Sequence, residues 1–108
     1  LEMAAHNEDQ EADVVYPAFA ETARADGFAK VAQDFENIAQ IERSHSARFK
    51  KFHDLCTSGR LFSSDKPERW VCMNCGFILE SEQAPQKCPV CGVDQGYYIR
   101  LEMAAWGL

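Results

Sequence analysis

Residues 28–52 read FAKVAQDFENIAQIERSHSARFKKF, and their spacing decides the fold. Phe28, Val31, Phe35, Ile38, Glu42, His45, Phe49 and Phe52 step by threes and fours, so they share one face of a helix. Glu42 and His45 interrupt an otherwise apolar stripe at its middle. Burying an unpaired carboxylate costs on the order of several kcal/mol. A metal ion is the usual compensation when Glu-x-x-His faces a bundle core.

Upstream, Leu1, Ala4, Glu8, Glu11, Val15, Phe19 and Thr22 repeat the helical step, so residues 1 to about 25 form a first helix. Asp26-Gly27 is the turn, with Gly27 suited to a left-handed helix end. The second helix runs to about Thr57, and Gly59 is its stop. Pro17 interrupts the first helix without shifting its apolar phase, which predicts a kink or a π-bulge rather than an end. Folding the hairpin about the midpoint of Asp26 and Gly27 sets Glu11 level with Glu42, and Glu8 level with His45. All four lie about 24 Å from the turn at a rise of 1.5 Å per residue. Taken singly, each is an ordinary surface residue, and Glu42 with His45 could be a simple i,i+3 pair. Four in register on two apolar stripes point to a metal, and oxygen-rich ligation with one imidazole favours iron or manganese over structural zinc. One hairpin supplies half of a carboxylate-bridged di-metal site, so a second copy or another segment must supply the rest.

Downstream, residues 58–69 (SGRLFSSDKPER) are polar, carry Gly59 and Pro67, and read as a linker. Residues 70–99 hold Cys72-x2-Cys75-x12-Cys88-x2-Cys91, with Gly76 and Gly92 after the second cysteine of each pair. Four thiolates at this spacing form a tetrahedral metal site, and a module this small needs the metal to fold. Trp70, Phe77 and Tyr97 or Tyr98 are expected to pack around it. By spacing, zinc and iron both fit; a neighbouring site that needs electrons favours iron. Residues 100–108 read as a tail. Leu1-Glu2-Met3-Ala4-Ala5 recurs as Leu101-Glu102-Met103-Ala104-Ala105, too short for a structural repeat.

The 108 residues carry a net charge of -6 with no basic patch, which argues against nucleic acid as a partner. No apolar run approaches the roughly 20 residues of a membrane span. No secretory leader is visible, although the sequence opens at Leu1. Five cysteines suit a reducing compartment, so a cytoplasmic setting is expected. His6 and His53 read as surface residues, and Cys56 as a small buried one. Arg43, Arg48, Lys50 and Lys51 read as a solvated face.

These residues resemble a rubrerythrin. Asn7-Glu8-x-x-Glu11 with Tyr16-Pro17-x-Phe19-Ala20 resembles the third helix of that family's ferritin-like domain. Phe35-x-x-Ile38-Ala39-x-x-Glu42-x-x-His45-x-x-Arg48-Phe49 resembles the fourth. Trp70-Val71-Cys72-x-x-Cys75-Gly76-Phe77 and Cys88-Pro89-x-Cys91-Gly92 resemble its rubredoxin-like module. The implied fold is mainly α with a small metal-bound β part. Residues 1–57 would be an antiparallel hairpin, half of a ferritin-like four-helix bundle, and residues 70–99 a rubredoxin-like module.

The resemblance implies a non-haem di-iron peroxidase that reduces hydrogen peroxide to water. Glu8, Glu11, Glu42 and His45 would be di-iron ligands, with Glu11 the carboxylate that changes coordination with redox state. Tyr16 would hydrogen-bond a ligand carboxylate. Cys72, Cys75, Cys88 and Cys91 would hold one iron, with zinc an alternative occupant of either site. An external donor, a rubredoxin or an NAD(P)H-dependent reductase, would feed it, and a homo-oligomer would pass electrons from one subunit's cysteine module to the other's bundle. The sequence departs from the family in having Asn7 where glycine is usual and in lacking the first two bundle helices. Two other readings fit the residues: a metal-binding or storage protein with a structural zinc ribbon, and a piece with no activity of its own.

Overall fold

The computed structural model describes residues 1–105, which fall into two compact units divided between Asp54 and Leu55. In the first, α1 (Glu2–Gln10) continues into a π-helical turn (Glu11–Val15) and then α2 (Tyr16–Ala25). The expected irregularity is therefore a π-turn, placed just ahead of Pro17 so that the proline enters α2 in its first turn. There its missing N–H costs least. The hairpin turns at Gly27, whose φ of 86° a Cβ would disfavour. Gly27 N–H donates to Arg24 O (3.1 Å) and Phe28 N–H to Ala23 O (2.8 Å), the paired bonds of a Schellman cap. Helix α3 (Ala29–Thr57) then runs back antiparallel and closes with the same bonds at Gly59.

The seam between the helices is not the large apolar stripe. Ala5, Ala12, Ala20 and Ala23 are buried on one side, and Ala32, Ala39 and Ser46 on the other. Small side chains let the backbones approach, and the larger ones are left facing outward. Leu1, Phe19, Phe28 and Val31 are exposed, while Phe35, Ile38, Phe49 and Phe52 are half-buried. The alanine spacing on the first helix explains the π-turn: Ala5 to Ala12 is seven residues, but Ala12 to Ala20 is eight. The extra residue absorbed by the wide turn keeps both halves of the row on α3.

Polar groups flank the seam. The buried Ser46 hydroxyl donates to Asp9 Oδ1 (2.5 Å), and Lys50 Nζ lies 2.8 Å from Asp9 Oδ2. Arg43 reaches Asp13 (3.2 Å) and Ala12 O (3.4 Å). Arg43 and Lys50 thus tie the two arms together rather than serving only as a solvated face. Lys50 and then Ser46 hold the Asp9 carboxyl below its ordinary value of 3.8. A depressed folded-state value stabilises above pH 3.8 and is lost as pH falls through it. Asp9→Asn is therefore expected to lower the thermal midpoint at neutral pH and to flatten its fall below about pH 4, as a pH series of melts would read.

In the second unit, β1 (Ser63–Cys72) is central, paired antiparallel with β2 (Ile78–Gln83) and β3 (Tyr98–Arg100). So residues 63–69, more than half of the stretch expected as a linker, are strand. A register shift between Ser63 and Glu68 accommodates Pro67, which cannot donate to a ladder. Trp70, Cys72, Ala84, Cys88 and Tyr98 form one core cluster, with Phe62, Phe77, Leu79 and Val93 packed on it. Tyr97 is exposed, which decides the tyrosine alternative. The expected tail is also corrected: Arg100 ends β3, and Leu101 is 1% exposed, packed with Val71 and Ala104. The last three tail residues lie outside the described ones. Cys56, expected as buried, is exposed. Among the described residues no helix is long and apolar enough to cross a membrane.

Candidate metal centres

The cysteine site is built from two matching knuckles. Gly76 N–H donates to Cys72 O (2.8 Å) and Gly92 N–H to Cys88 O (2.9 Å). Cys72 N–H donates to Phe77 O (2.9 Å) and Cys88 N–H to Val93 O (2.8 Å), so each loop is closed twice in the same way. Gly76 and Gly92 take φ of 83° and 77°, which turns following backbone N–H groups toward sulfur. Phe77 N–H reaches Cys75, Val93 N–H reaches Cys91, and Val90 and Cys91 N–H reach Cys88.

The sulfurs of Cys72 and Cys91 are 3.8 Å apart, those of Cys75 and Cys88 3.7 Å, and all four lie within 4.8 Å of one another. For a metal–sulfur bond of about 2.3 Å, a tetrahedron places its corners about 3.8 Å apart. The donor set therefore fits a tetrathiolate ion at its centre. Crowding splits the thiols. The Phe77 N–H favours a thiolate at Cys75, but burial and the three other cysteines outweigh it and push that thiol up to about 12. Burial opposes a thiolate at Cys88, yet Tyr98 and the backbone donors bring it down to about 6. Asn74 Nδ2 donates to Cys91 Sγ at 3.4 Å, a contact that sequence reading missed.

In the helical unit, Glu8, Glu42 and His45 offer ligand atoms that also lie within 4.8 Å of one another. His45 Nδ1 is 2.8 Å from Glu42 Oε2 and 3.7 Å from Glu8 Oε2. The carboxylate oxygens accept here, so the imidazole N–H donates. Glu42 is the least exposed of the three at 12%, the place the interrupted stripe gave it. A hydrogen bond to Glu42, then burial, then the Glu42 charge raise the Glu8 carboxyl above its ordinary value, with Glu11 adding to the rise and His45 opposing it. Two carboxyl groups that compete for one proton are a seat for a cation that would replace it. The residues fit a carboxylate- and imidazole-bound ion.

Two expected members stand apart. Glu11 is half-buried one turn further on, where the π-turn begins; its charge reaches Glu8, but its carboxylate is outside the group of three. The Tyr16 ring stacks on Phe35 (6.0 Å) and meets Phe19 edge-on (6.1 Å). No bond from its hydroxyl to Glu8, Glu11 or Glu42 is present among the described residues. Elsewhere on the hairpin, a cleft of about 500 Å³ is lined by Pro17, Arg24, Glu36 and Arg43, but both arginines are already paired with carboxylates.

The family model for rubrerythrin matches residues 1–71, and the model for the rubrerythrin rubredoxin-like domain matches residues 70–99. The chain belongs to the rubrerythrin family. A rubrerythrin of Clostridium perfringens is 42% identical over 98 residues, covering 91% of this chain and 50% of that protein. One of Porphyromonas gingivalis is 38% identical over 98 residues (91% and 49%), and one of Nitratidesulfovibrio vulgaris 35% over 95 residues (88% and 50%). The chain spans about half the length of the curated rubrerythrins it matches. The four-cysteine site fits rubredoxin-like iron, and the family implies a di-iron site, of whose ferritin-like domain this chain carries only part.

Proposed function

We propose that this chain works in a non-haem di-iron peroxidase that reduces hydrogen peroxide to two waters, consuming two electrons and two protons. The observation that carries the reading is the pairing, in one chain, of the Glu8–Glu42–His45 group with a sulfur tetrahedron of metal-binding size. Bound iron would supply the electrons for O–O cleavage, and the iron held by Cys72, Cys75, Cys88 and Cys91 would return them one at a time from an external rubredoxin or NAD(P)H-dependent reductase. Glu8 and Glu42 supply negative charge for the cation. His45, already bonded to Glu42, fixes that carboxylate's direction. Before the cation binds, Glu8 is the group that holds the proton the ion would displace, because the neighbouring Glu42 keeps its carboxyl raised.

The remaining bundle ligands come from a second helical pair, and a second copy of the hairpin carries suitable ones. Two copies would bring two Glu42-x-x-His45 units with Glu8 and Glu11 of each, the set that carboxylate-bridged bundles use. The outward-facing Phe19, Phe28 and Val31 and the half-buried aromatic stripe support such a partner. A cytoplasmic setting would keep all five cysteines reduced. The test is reconstitution of the full chain with iron, reduction under nitrogen and addition of peroxide. Return of the ferric tetrathiolate colour with repeated peroxide turnover, in a species that sediments as a metal-dependent dimer, is expected. A colourless protein holding only zinc, with no peroxide consumption, would overturn the reading.

A further inference from the structure

Arg100 brings a positive charge to the core face of the second unit, and among the described residues no carboxylate answers it. Trp70 and Cys72 are two residues apart on β1, so they share one face, and both are fully buried. Across the ladder Cys72 pairs with Tyr98 and Trp70 with Arg100, which sets Arg100 on that face too. Two residues along a strand and one step across it place the Cα atoms of Arg100 and Cys72 roughly 8 Å apart. The guanidinium carbon lies 5.4 Å from the centre of the Trp70 ring, and Trp70 packs in one cluster with Cys72 and Cys88.

A strap explains part of this. Arg100 Nη2 donates to Arg60 O (3.0 Å) and Ser63 O (2.7 Å). One terminal nitrogen serves both carbonyls, which accounts neither for the charge nor for Nε, buried without a hydrogen-bond acceptor. Arg60, Lys66 and Lys87 of the same unit each face a carboxylate, whereas the half-buried Arg100 has only the two carbonyls and the Trp70 ring. A guanidinium does not shed its proton to escape burial, so an unanswered charge there is a cost. The anion on offer at this face is the cysteine site itself once an ion fills it, because four thiolates outweigh a divalent or a trivalent ion.

We propose that Arg100 is the counter-charge of the metal-loaded four-cysteine site, and that with iron as the occupant it favours the ferrous over the ferric state. The loaded site carries one more negative charge when ferrous, so a fixed cation beside it lowers the energy of that form more. One electron enters from the external donor, ferric iron becomes ferrous, and no bond or proton moves. Arg100 rests against the sealed Trp70 ring, so salt screens its attraction less than at an open surface. It is a positioning residue for charge, not a ligand. The redox consequence rests on iron occupying the cysteine site, as in the function proposed above; the charge link does not.

The test is a charge series at one position of the full chain: Arg100→Lys, Arg100→Gln and Arg100→Glu, each reconstituted with iron and titrated through the visible ferric band. At the midpoint potential of the parent, the ferrous-to-ferric ratio is expected to stay within about twofold in R100K. It should fall about three- to tenfold in R100Q and further in R100E, where tenfold corresponds to about 59 mV for one electron. Lys66→Gln, at an exposed lysine already paired with Glu68, is the control and should leave the ratio unchanged. A mere strap would alter stability and not the ratio, so an unchanged ratio in R100Q and R100E would overturn the proposal. A ratio in R100K that falls as far as in R100Q would overturn it too. A second measurement needs neither iron nor a variant. The parent chain is loaded with zinc, a divalent stand-in for ferrous iron, or with gallium, a trivalent stand-in for ferric iron, and exchange of the Arg100 Nε–H with water is followed by NMR. That exchange is base-catalysed, so the more negative zinc site should slow it about threefold or more relative to gallium at one pH. Equal rates would overturn the proposal, whether or not the variants fold. If the natural occupant proves to be zinc, the electron-relay function fails while the zinc–gallium comparison still decides the charge link.

Discussion

Cys88→Ser is expected to unfold the whole second unit, not merely to empty a metal site. The core that β1, β2 and β3 share is small, and two of its buried members are cysteines. Structural tetrathiolate and related sites in small modules contribute apparent binding energies of about 10–16 kcal/mol, which for such modules is the folding energy itself. Loss of one of four thiolates removes a large part of it. In a proton–nitrogen correlation spectrum, the dispersed amides of β1 and β3 should collapse to random-coil positions. A strong chelator on the parent chain should do the same, while the Leu1–Asp54 unit keeps its helical signals. Dispersed strand amides after complete metal removal would show that Trp70, Val71, Tyr98 and Leu101 suffice without the ion.

The second large effect is expected at Glu42. Glu42→Gln keeps the volume and the stripe but removes the charge that faces both Glu8 and His45. Changes to residues that merely support metal ligands cost 10–100-fold in affinity or activity, so peroxide turnover should fall at least about a hundredfold. The ferric tetrathiolate band should remain, because the cysteine site has its own fold. Glu21→Gln, exposed on α2, serves as the control and should be silent. Retained turnover in E42Q would move the reacting metal away from this helix. Loss of the visible band as well would point to general unfolding.

The turn at Gly27, the register that joins Glu8 to His45, and the paired knuckles were all legible in the sequence. Each depends on local chemistry: a left-handed position, an equal count of residues from a turn, a fixed cysteine spacing. The packing seam was not legible. Periodicity finds an apolar face but does not say what covers it, and in this hairpin the widest apolar stripe stays exposed or half-buried while alanines one position away make the contact. β1 was hidden for a related reason. Its first half, with Pro67 and alternating charge, has one covered face at most and shows no apolar alternation. The repeated pentamer makes the limit plain: Leu1 opens a helix and is half-exposed, whereas Leu101 opens a 3-10 turn and is sealed against Val71. Five identical residues take two structures because their neighbours differ.

The π-turn at Glu11–Val15 acts as a phase corrector in a rotating shaft. Upstream of it, the first helix must aim Glu8 at the metal group; downstream, it must keep Ala20 and Ala23 against α3. An unbroken α-helix advances about 100° per residue, so removing the one surplus residue would turn everything from Pro17 to the hairpin bend by that angle relative to Glu8. Either the carboxylate or the alanine row would then face solvent. The two obligations of this helix, chemical at one end and mechanical at the other, are compatible only because a single residue is out of step.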